Sequence, residues 1–256
     1  MRQSIIPITR RHRDTTVIDL DRNKALVVAC DSAGAIGPKE ADVIPVPGYV
    51  LGRFTARVAL LEVLAVGGWP VCVVNTLCVE PRPTGEEINR GVADEIRVLG
   101  IEPGDILTGS AEKNIPTAQS GVGITVIGLA EKSALRIGRL GEGDGIALLG
   151  RPKVGSEVTL DDQHIVDLKT ACVLLDDPDI REIVPVGSRG IFDEASSLAG
   201  LYGLQISWRE IPPDIDLRKS AGPSTCLLIM GDPAALRAAA DKTGKPFLIL
   251  GGLYKI

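Results

Sequence analysis

The stretch that most constrains this chain is Leu26 to Gly37, LVVACDSAGAIG. Its apolar, β-branched run reads as a buried strand that ends on a carboxylate, Asp31. Ser32, Ala33, Gly34, Ala35 and Gly37 follow, and their small side chains leave room for a ligand to approach the backbone. An acid held at a strand end beside small residues is a candidate site. Two further acids flank it in sequence: Asp14, before the preceding strand, and Glu62, inside the following helix.

A chain of 256 residues accommodates one large domain or two smaller ones. Hydrophobic residues at 45% and charged residues at 24% suffice to fill a core and keep a polar surface. The net charge of −5 argues against a nucleic-acid binder, which needs a basic stripe to neutralise phosphates. Aromatics at 3% leave little for stacking single-stranded bases. The N-terminal MRQSIIPITRRHRD has no apolar core of signal-peptide length. The most apolar window, Val58 to Val74, is broken by Glu62, Gly67, Gly68 and Pro70, so no membrane span is expected. Five cysteines (Cys30, Cys72, Cys78, Cys172, Cys226) show no CxxC pair, and with only His12 and His164 beside them a zinc site is not expected. They read as reduced, mostly buried thiols of a cytoplasmic protein, with both histidines exposed.

Thr15–Leu20 and Lys24–Cys30 read as a hairpin across Asp21-Arg22-Asn23. Residues 38–48 form a loop with three prolines, 52–66 an apolar helix stopped by Gly67-Gly68-Trp69-Pro70, and 71–79 a strand. Residues 84–100 carry the clearest helical pattern: a Thr84/Glu87 capping box, apolar residues at Ile88, Val92, Ile96 and Leu99, and Gly100 as the stop. Residues 106–108 and 123–130 return to strand, with a small polar loop, 109–121, between them. After Glu131 the character changes, which places a boundary between halves 1–131 and 132–256. The second half reads as strand 145–149, helix 162–175, helix 191–203, strands 204–210 and 225–230, an Ala-rich helix started by Asp232-Pro233, and a closing strand 247–251. The alternation indicates an α/β (α+β) fold in two halves.

Among chemical motifs, the segment Gly150 to Ser156 has phosphate-loop glycine spacing without the lysine such a loop needs, and reads as a surface turn. Gly141-Glu-Gly-Asp-Gly145 is too acidic to cradle phosphate. Ser188 and Ser224 have no histidine nearby in sequence to make a triad. Glu62 is more informative, because a carboxylate inside an apolar helix is costly unless paired, hydrogen-bonded or metal-bound. A salt bridge to Arg53 or Arg57 meets that requirement as well as a metal does.

The order of these segments resembles the AIR synthase-related superfamily: aminoimidazole ribonucleotide synthetase, thiamine-monophosphate kinase and selenophosphate synthetase. Arg13-Asp14-Thr15-Thr16-Val17 stands where the kinase branch has Gly-Asp-Asp-Ala-Ala, and Val28-Ala-Cys-Asp31 matches a strand ending in Thr-Asp. The segment from Leu60 to Pro70 matches a Ser-Asp-x-Ala-x-Met-Gly-Ala-x-Pro helix, with Glu62 in place of a metal-binding aspartate. Leu107 to Glu112 lies where the family has Gly-Gly-Asp-Thr, and Val186 to Ile191 where it has Asp-x-Ser-Asp-Gly-Leu. Departures are clear: one acid of the Asp-Asp pair survives, Ser110 replaces another with Glu112 as a substitute, and Arg189 takes the place of a second-half aspartate.

The resemblance implies a two-half AIR synthase-like fold, with the first half contributing to a dimeric β-barrel and the second carrying a sheet with packed helices. It implies phosphoryl transfer from ATP with Mg²⁺, the metal held by Asp14, Asp31 and Glu62 through oxygen ligands. Asp14, Ser32, Gly34, Gly109, Ser110 and Glu112 would contact nucleotide or acceptor, and Asp31 and Arg189 would act in catalysis. The implied acceptor is a nucleoside or heterocyclic alcohol, with the α-ribazole kinase branch the nearest in character. A thiamine-monophosphate kinase and a non-catalytic nucleotide- or metabolite-binding homologue are the alternatives. The expected assembly is a homodimer.

Overall fold

The computed structural model describes residues 8–255. Residues 1–7, part of the stretch read as lacking a signal-like core, and Ile256 lie outside the described residues.

The first half builds one mixed sheet. Strands β1 (Thr9–His12), β2 (Thr15–Asp19) and β3 (Lys24–Gly34) run as an antiparallel meander. The short parallel pair β4 (Ile36–Gly37) and β5 (Ile44–Pro45) leads into helix α1 (Gly48–Ala65), followed by β6 (Trp69–Leu77), α2 (Glu86–Arg97), α3 (Pro103–Ile106), β7 (Leu107–Ala111) and β8 (Gly121–Glu131). The sheet order is β1-β2-β3-β8-β6-β7, antiparallel throughout except for the parallel β6/β7 pair. The second half contributes β9 (Gly145–Gly150), α4 (Leu168–Leu175), β10 (Ile180–Pro185), α5 (Gly190–Leu201), β11 (Gln205–Trp208), β12 (Cys226–Gly231), α6 (Pro233–Thr243) and β13 (Phe247–Tyr254). Its five strands form a second sheet in the order β10-β12-β9-β13-β11.

Helix α1 joins the two halves. It lies on β3, β8 and β6, packs beside α2, and on its far side meets α4 and β10 of the second half. Leu60, Leu61, Val63 and Leu64 are all fully buried, as an apolar surface running right round the helix requires. One continuous core therefore runs from β2 and β3 through α1 to β9, α4 and β12. A second core, on the other face of the five-stranded sheet, sits under α5. Strands β9 and β12 are buried on both faces, which explains their unbroken apolar runs. Among the described residues no helix is long and apolar enough to cross a membrane.

Several sequence expectations shift. Strand β3 continues three residues past Asp31, because Ser32, Ala33 and Gly34 extend the ladder with Gly123, Val122 and Gly121 of β8; Asp31 is inside the strand, not at its end. The Thr84/Glu87 box is not what starts α2. The Glu80 carboxylate instead accepts from the Thr84 N–H at 3.4 Å and the Thr84 hydroxyl at 2.5 Å, before a π-helical turn over Pro81–Gly85. Helix α4 begins only after Asp167, whose carboxylate takes the Thr170 N–H, so 162–167 is loop. The Asp232 cap of α6 forms as expected. The cysteines are free, yet Cys30 and Cys78 are exposed and only Cys226 is buried. His12 is buried at 7% exposure, with Nε2 3.5 Å from Glu182; His164 is exposed.

Candidate functional site

The first-half sheet turns odd-numbered β3 residues toward α1, because side chains alternate along a strand. Ala25, Val27 and Ala29 fill that face, and Asp31 continues it to where the core opens. There a cavity of about 530 Å³ lies on the seam between the halves. One wall is Asp31 to Gly34 with Leu51, Phe54, Thr55 and Val58 of α1, and Ile36, Ile44 and Val46 close one side. The second half supplies Val154, Gly155 and Val158 and two small-residue loops, Gly187-Ser188 and Gly222-Pro223-Ser224. The segment read as a surface turn thus lends Val154 and Gly155 to the cavity.

Asp31 is the one ionisable residue among the described residues lining this space. Burial pushes its carboxyl up to about 6, although its contact with the Ser32 backbone N–H works the other way. Ser32, Ser188 and Ser224 add hydroxyls. Ser224 is 2% exposed and held at φ +51°, a left-handed conformation that costs a residue with a Cβ on the order of 1 kcal/mol.

The other expected site residues fall elsewhere. Glu62 is on the same face of α1 as Thr55 and Val58, seven and four residues on, but one turn beyond the cavity. Its partner is neither Arg53 nor Arg57: Oε2 receives Nη2 of Arg13 at 2.8 Å, and both side chains are at most 7% exposed. Arg53 and Arg57 instead clamp the fully buried Glu95 of α2, at 2.5 and 2.8 Å. Burial pushes the Glu62 carboxyl up to about 7 against the pull of Arg13, with Asp14 and Glu194 adding to the rise. Asp14 is exposed in the β1–β2 turn. Arg189 is half exposed just before α5, its fork closed on Glu194 at 3.2 and 2.9 Å; its neighbour Ser188, not Arg189, reaches the cavity.

Gly109, Ser110 and Glu112 belong to the far edge of the sheet. Register places Asp31, Ile124, Asn75 and Gly109 in one transverse row, and Ser32, Gly123, Thr76 and Ser110 in the next. Three strand spacings put the two ends of a row roughly 14 Å apart. A Cβ on Gly109 would meet Oδ1 of Asn75 at 1.9 Å, which accounts for that glycine, and Glu112 closes a turn by accepting the N–H groups of Asn114 and Ile115 at 2.7 and 3.1 Å.

Magnesium takes about six oxygen ligands, so a protein site needs carboxylates that converge. Here Asp31 faces the cavity, Asp14 faces solvent and Glu62 is bound to a guanidinium. Among the described residues no group of three or more His, Cys, Asp or Glu side chains is placed to hold a metal ion. The acids present do not fit a ready metal centre.

Sequence reasoning missed the second-half wall. Sequence spacing offers Ser188 and Ser224 only as nucleophiles, whereas the useful signal is the small-residue loops that follow β10 and precede β12.

Comparison with known proteins agrees with this architecture. Residues 12–130 match the family described as AIR synthase related protein, N-terminal domain. A selenide, water dikinase of Nitratidesulfovibrio vulgaris is 29% identical over 129 residues, 49% of this chain and 33% of the relative. The match thus spans about a third of that relative's length. Among solved structures, T. maritima PurL complexed with ADP has a TM-score of 0.68 at 15% identity, covering 98% of this chain and 43% of that one. AaThiL complexed with AMPPCP and TMP has a TM-score of 0.65 at 14% identity over 95% of this chain and 85% of that one. The HypE–HypF complex gives 0.65 at 13% identity, over 94% and 87%. Residues 12–130 thus match the AIR synthase related N-terminal domain, and the whole chain follows the fold of these solved structures.

Proposed function

We propose that this chain is an ATP-dependent phosphotransferase whose acceptor is a hydroxyl of an uncharged nucleoside-type alcohol, α-ribazole being the first to test. The observation that carries this reading is the seam cavity, large enough for a nucleoside and lined by one carboxylate and no cation among the described residues. A phosphorylated acceptor would set its own anion beside Asp31 without a neutralising partner in the lining. A neutral acceptor instead donates its hydroxyl to the Asp31 carboxylate. A carboxyl raised to about 6 is matched to that task, since a base works best with a pKa near the working pH.

In this reading the acceptor hydroxyl gives its proton to Asp31 as its oxygen bonds to the γ-phosphorus of ATP, and ADP leaves with the broken P–O bond electrons. Ser32, Ser188 and Ser224 orient the acceptor, and Gly34 admits it. Arg189, whose contacts with Glu194 use Nε and Nη2, has Nη1 to offer a phosphoryl oxygen at the rim. ATP use is supported by relatives whose names or bound molecules include ADP, AMPPCP or a dikinase activity. Gly109, Ser110 and Glu112 have no part in the reaction proposed here.

The assembly proposed is a homodimer through the face of the first sheet turned away from α1. The rows Ile18–Leu26–Leu129–Trp69 and Thr16–Val28–Ile127–Cys72 lie across it, mostly apolar and only partly covered. An antiparallel sheet with one solvated face normally turns polar residues outward, so this face calls for a partner.

Calorimetric titration tests the acceptor reading. The nucleoside should bind at least about tenfold tighter than its 5′-phosphate, and Asp31→Asn should narrow that ratio, since tenfold corresponds to one modest charge contact. Tighter binding of the phosphate would overturn it.

A further inference from the structure

A second cavity, of about 360 Å³, lies at the opposite end of α1 from the seam. Gly67, Gly68 and Trp69 border it just past the helix, and Arg136 and Arg139 border it from the segment that joins the two halves. At a rise of 1.5 Å per residue, Gly67 stands roughly 20 Å from Phe54 in the seam cavity, so the two spaces are separate. Arg136 is 5% exposed. Its Nη2 donates to the Leu175 and Asp177 carbonyls at 2.7 and 3.1 Å, which caps the C-terminal end of α4, but its Nη1 is buried with no hydrogen-bond partner. Arg139 is half-buried, and its Nη2 donates to the Ser133 carbonyl at 2.6 Å. Among the described residues neither arginine has a carboxylate partner. A buried charge is costly unless it is paired. Burial and the neighbouring Arg139 charge both lower the Arg136 pKa, while Asp177 works the other way. Asp176, the one acid among the described residues of the lining, is exposed, so the cavity keeps a net positive charge.

We propose that this cavity binds a small phosphate monoester, its phosphate neutralised by Arg136 and Arg139 and its flat ring placed on the indole of Trp69. A guanidinium keeps its charge at every working pH, and its fork matches phosphate oxygens. Trp69 is 47% exposed and supplies the apolar surface that a ring needs. The volume is larger than inorganic phosphate alone requires and falls in the range of small-ligand sites. The site stands apart from Asp31 and holds whether or not the acceptor reading does.

Phenyl phosphate is the probe, added without ATP to full-length Trp208→Phe protein, in which Trp69 is the sole tryptophan. Trp69 also ends an outward row of the first sheet, so its emission is read at one fixed protein concentration. The ester should change that emission with a Kd on the order of 0.1–1 mM, and inorganic phosphate and phenol should each bind at least about tenfold weaker, since either lacks one half of the contact. Arg139→Gln should weaken the ester by about tenfold or more, whereas Asp31→Asn should leave its affinity unchanged. Should Arg139→Gln fail to fold, Asp176→Asn decides: removal of the lining acid should tighten the ester by roughly twofold or more, and no tightening overturns the proposal. An unchanged emission, inorganic phosphate binding as tightly as the ester, or equal affinity in a folded Arg139→Gln would also overturn it. So would loss of binding in Asp31→Asn, which would put the ester in the seam cavity instead.

Discussion

Asp31, the base of the proposed reaction, is a carboxylate whose burial opposes stability at neutral pH. Its burial favours the protonated form, so its folded-state pKa of about 6 exceeds the ordinary value of 3.8. The stabilisation this represents is fully present below about pH 4 and is lost as pH rises through 6. Asp31→Asn should therefore melt with the wild type near pH 4 and above it at pH 8, by on the order of 1–2 kcal/mol once partial exposure is allowed for. The same variant should lower kcat by about 10²–10⁴-fold, the usual loss when a general base is removed. A melting series from pH 4 to 8 with parallel kinetics checks both. The presence of Asp31 and the cost of burying Glu62 were legible in the sequence, because a carboxylate in an apolar run is unusual wherever it lies. The partner of Glu62 was not. Arg13 is 49 residues away and reaches it only through a left-handed turn that local pattern does not reveal.

At the scale of elements, α1 and α2 cross with their backbones in contact. A Cβ on Gly52 would stand 2.1 Å from the Ile88 carbonyl oxygen, and one on Gly91 would stand 2.2 Å from that of Tyr49. Neither neighbour is a flexible side chain, so the helices would have to part. Gly52→Ala and Gly91→Ala should each cost about 2–3 kcal/mol in denaturant melts, in contrast to the gain alanine normally brings inside a helix. The Arg53–Glu95–Arg57 clamp lies beside this crossing, and Glu95→Ala, which would leave two guanidinium groups unpaired, should cost about 3–5 kcal/mol. The helices themselves could be read from periodicity and the apolar surface of α1. Their boundaries shifted where capping came from outside the local pattern, as with Glu80 at the turn before α2 and Asp167 at α4. β1 and β10 escaped notice because Thr9–His12 is polar and Ile180–Pro185 is interrupted by charge.

At the scale of the molecule, the two halves share α1, and the cavity exists because loops of the second half close over the end of β3. No local pattern encodes that closure, which is why Asp31 was found from sequence and Ser224 was not. The outward rows of the first sheet carry the assembly prediction. Light scattering should return about 54 kDa, twice the 27.0 kDa of one chain, and Leu26→Lys or Ile127→Lys should reduce it to the monomer by burying a charge in the face. The proposed phosphoryl transfer to a neutral acceptor governed by Asp31 is best tested by a product assay with Mg-ATP. α-Ribazole, thiamine monophosphate and adenosine should be offered in parallel to wild type and Asp31→Asn. α-Ribazole should yield a phosphorylated product, thiamine monophosphate little, and Asp31→Asn should lose the reaction. Preference for thiamine monophosphate, or ATP binding with no phosphorylated product from any of the three, would contradict it.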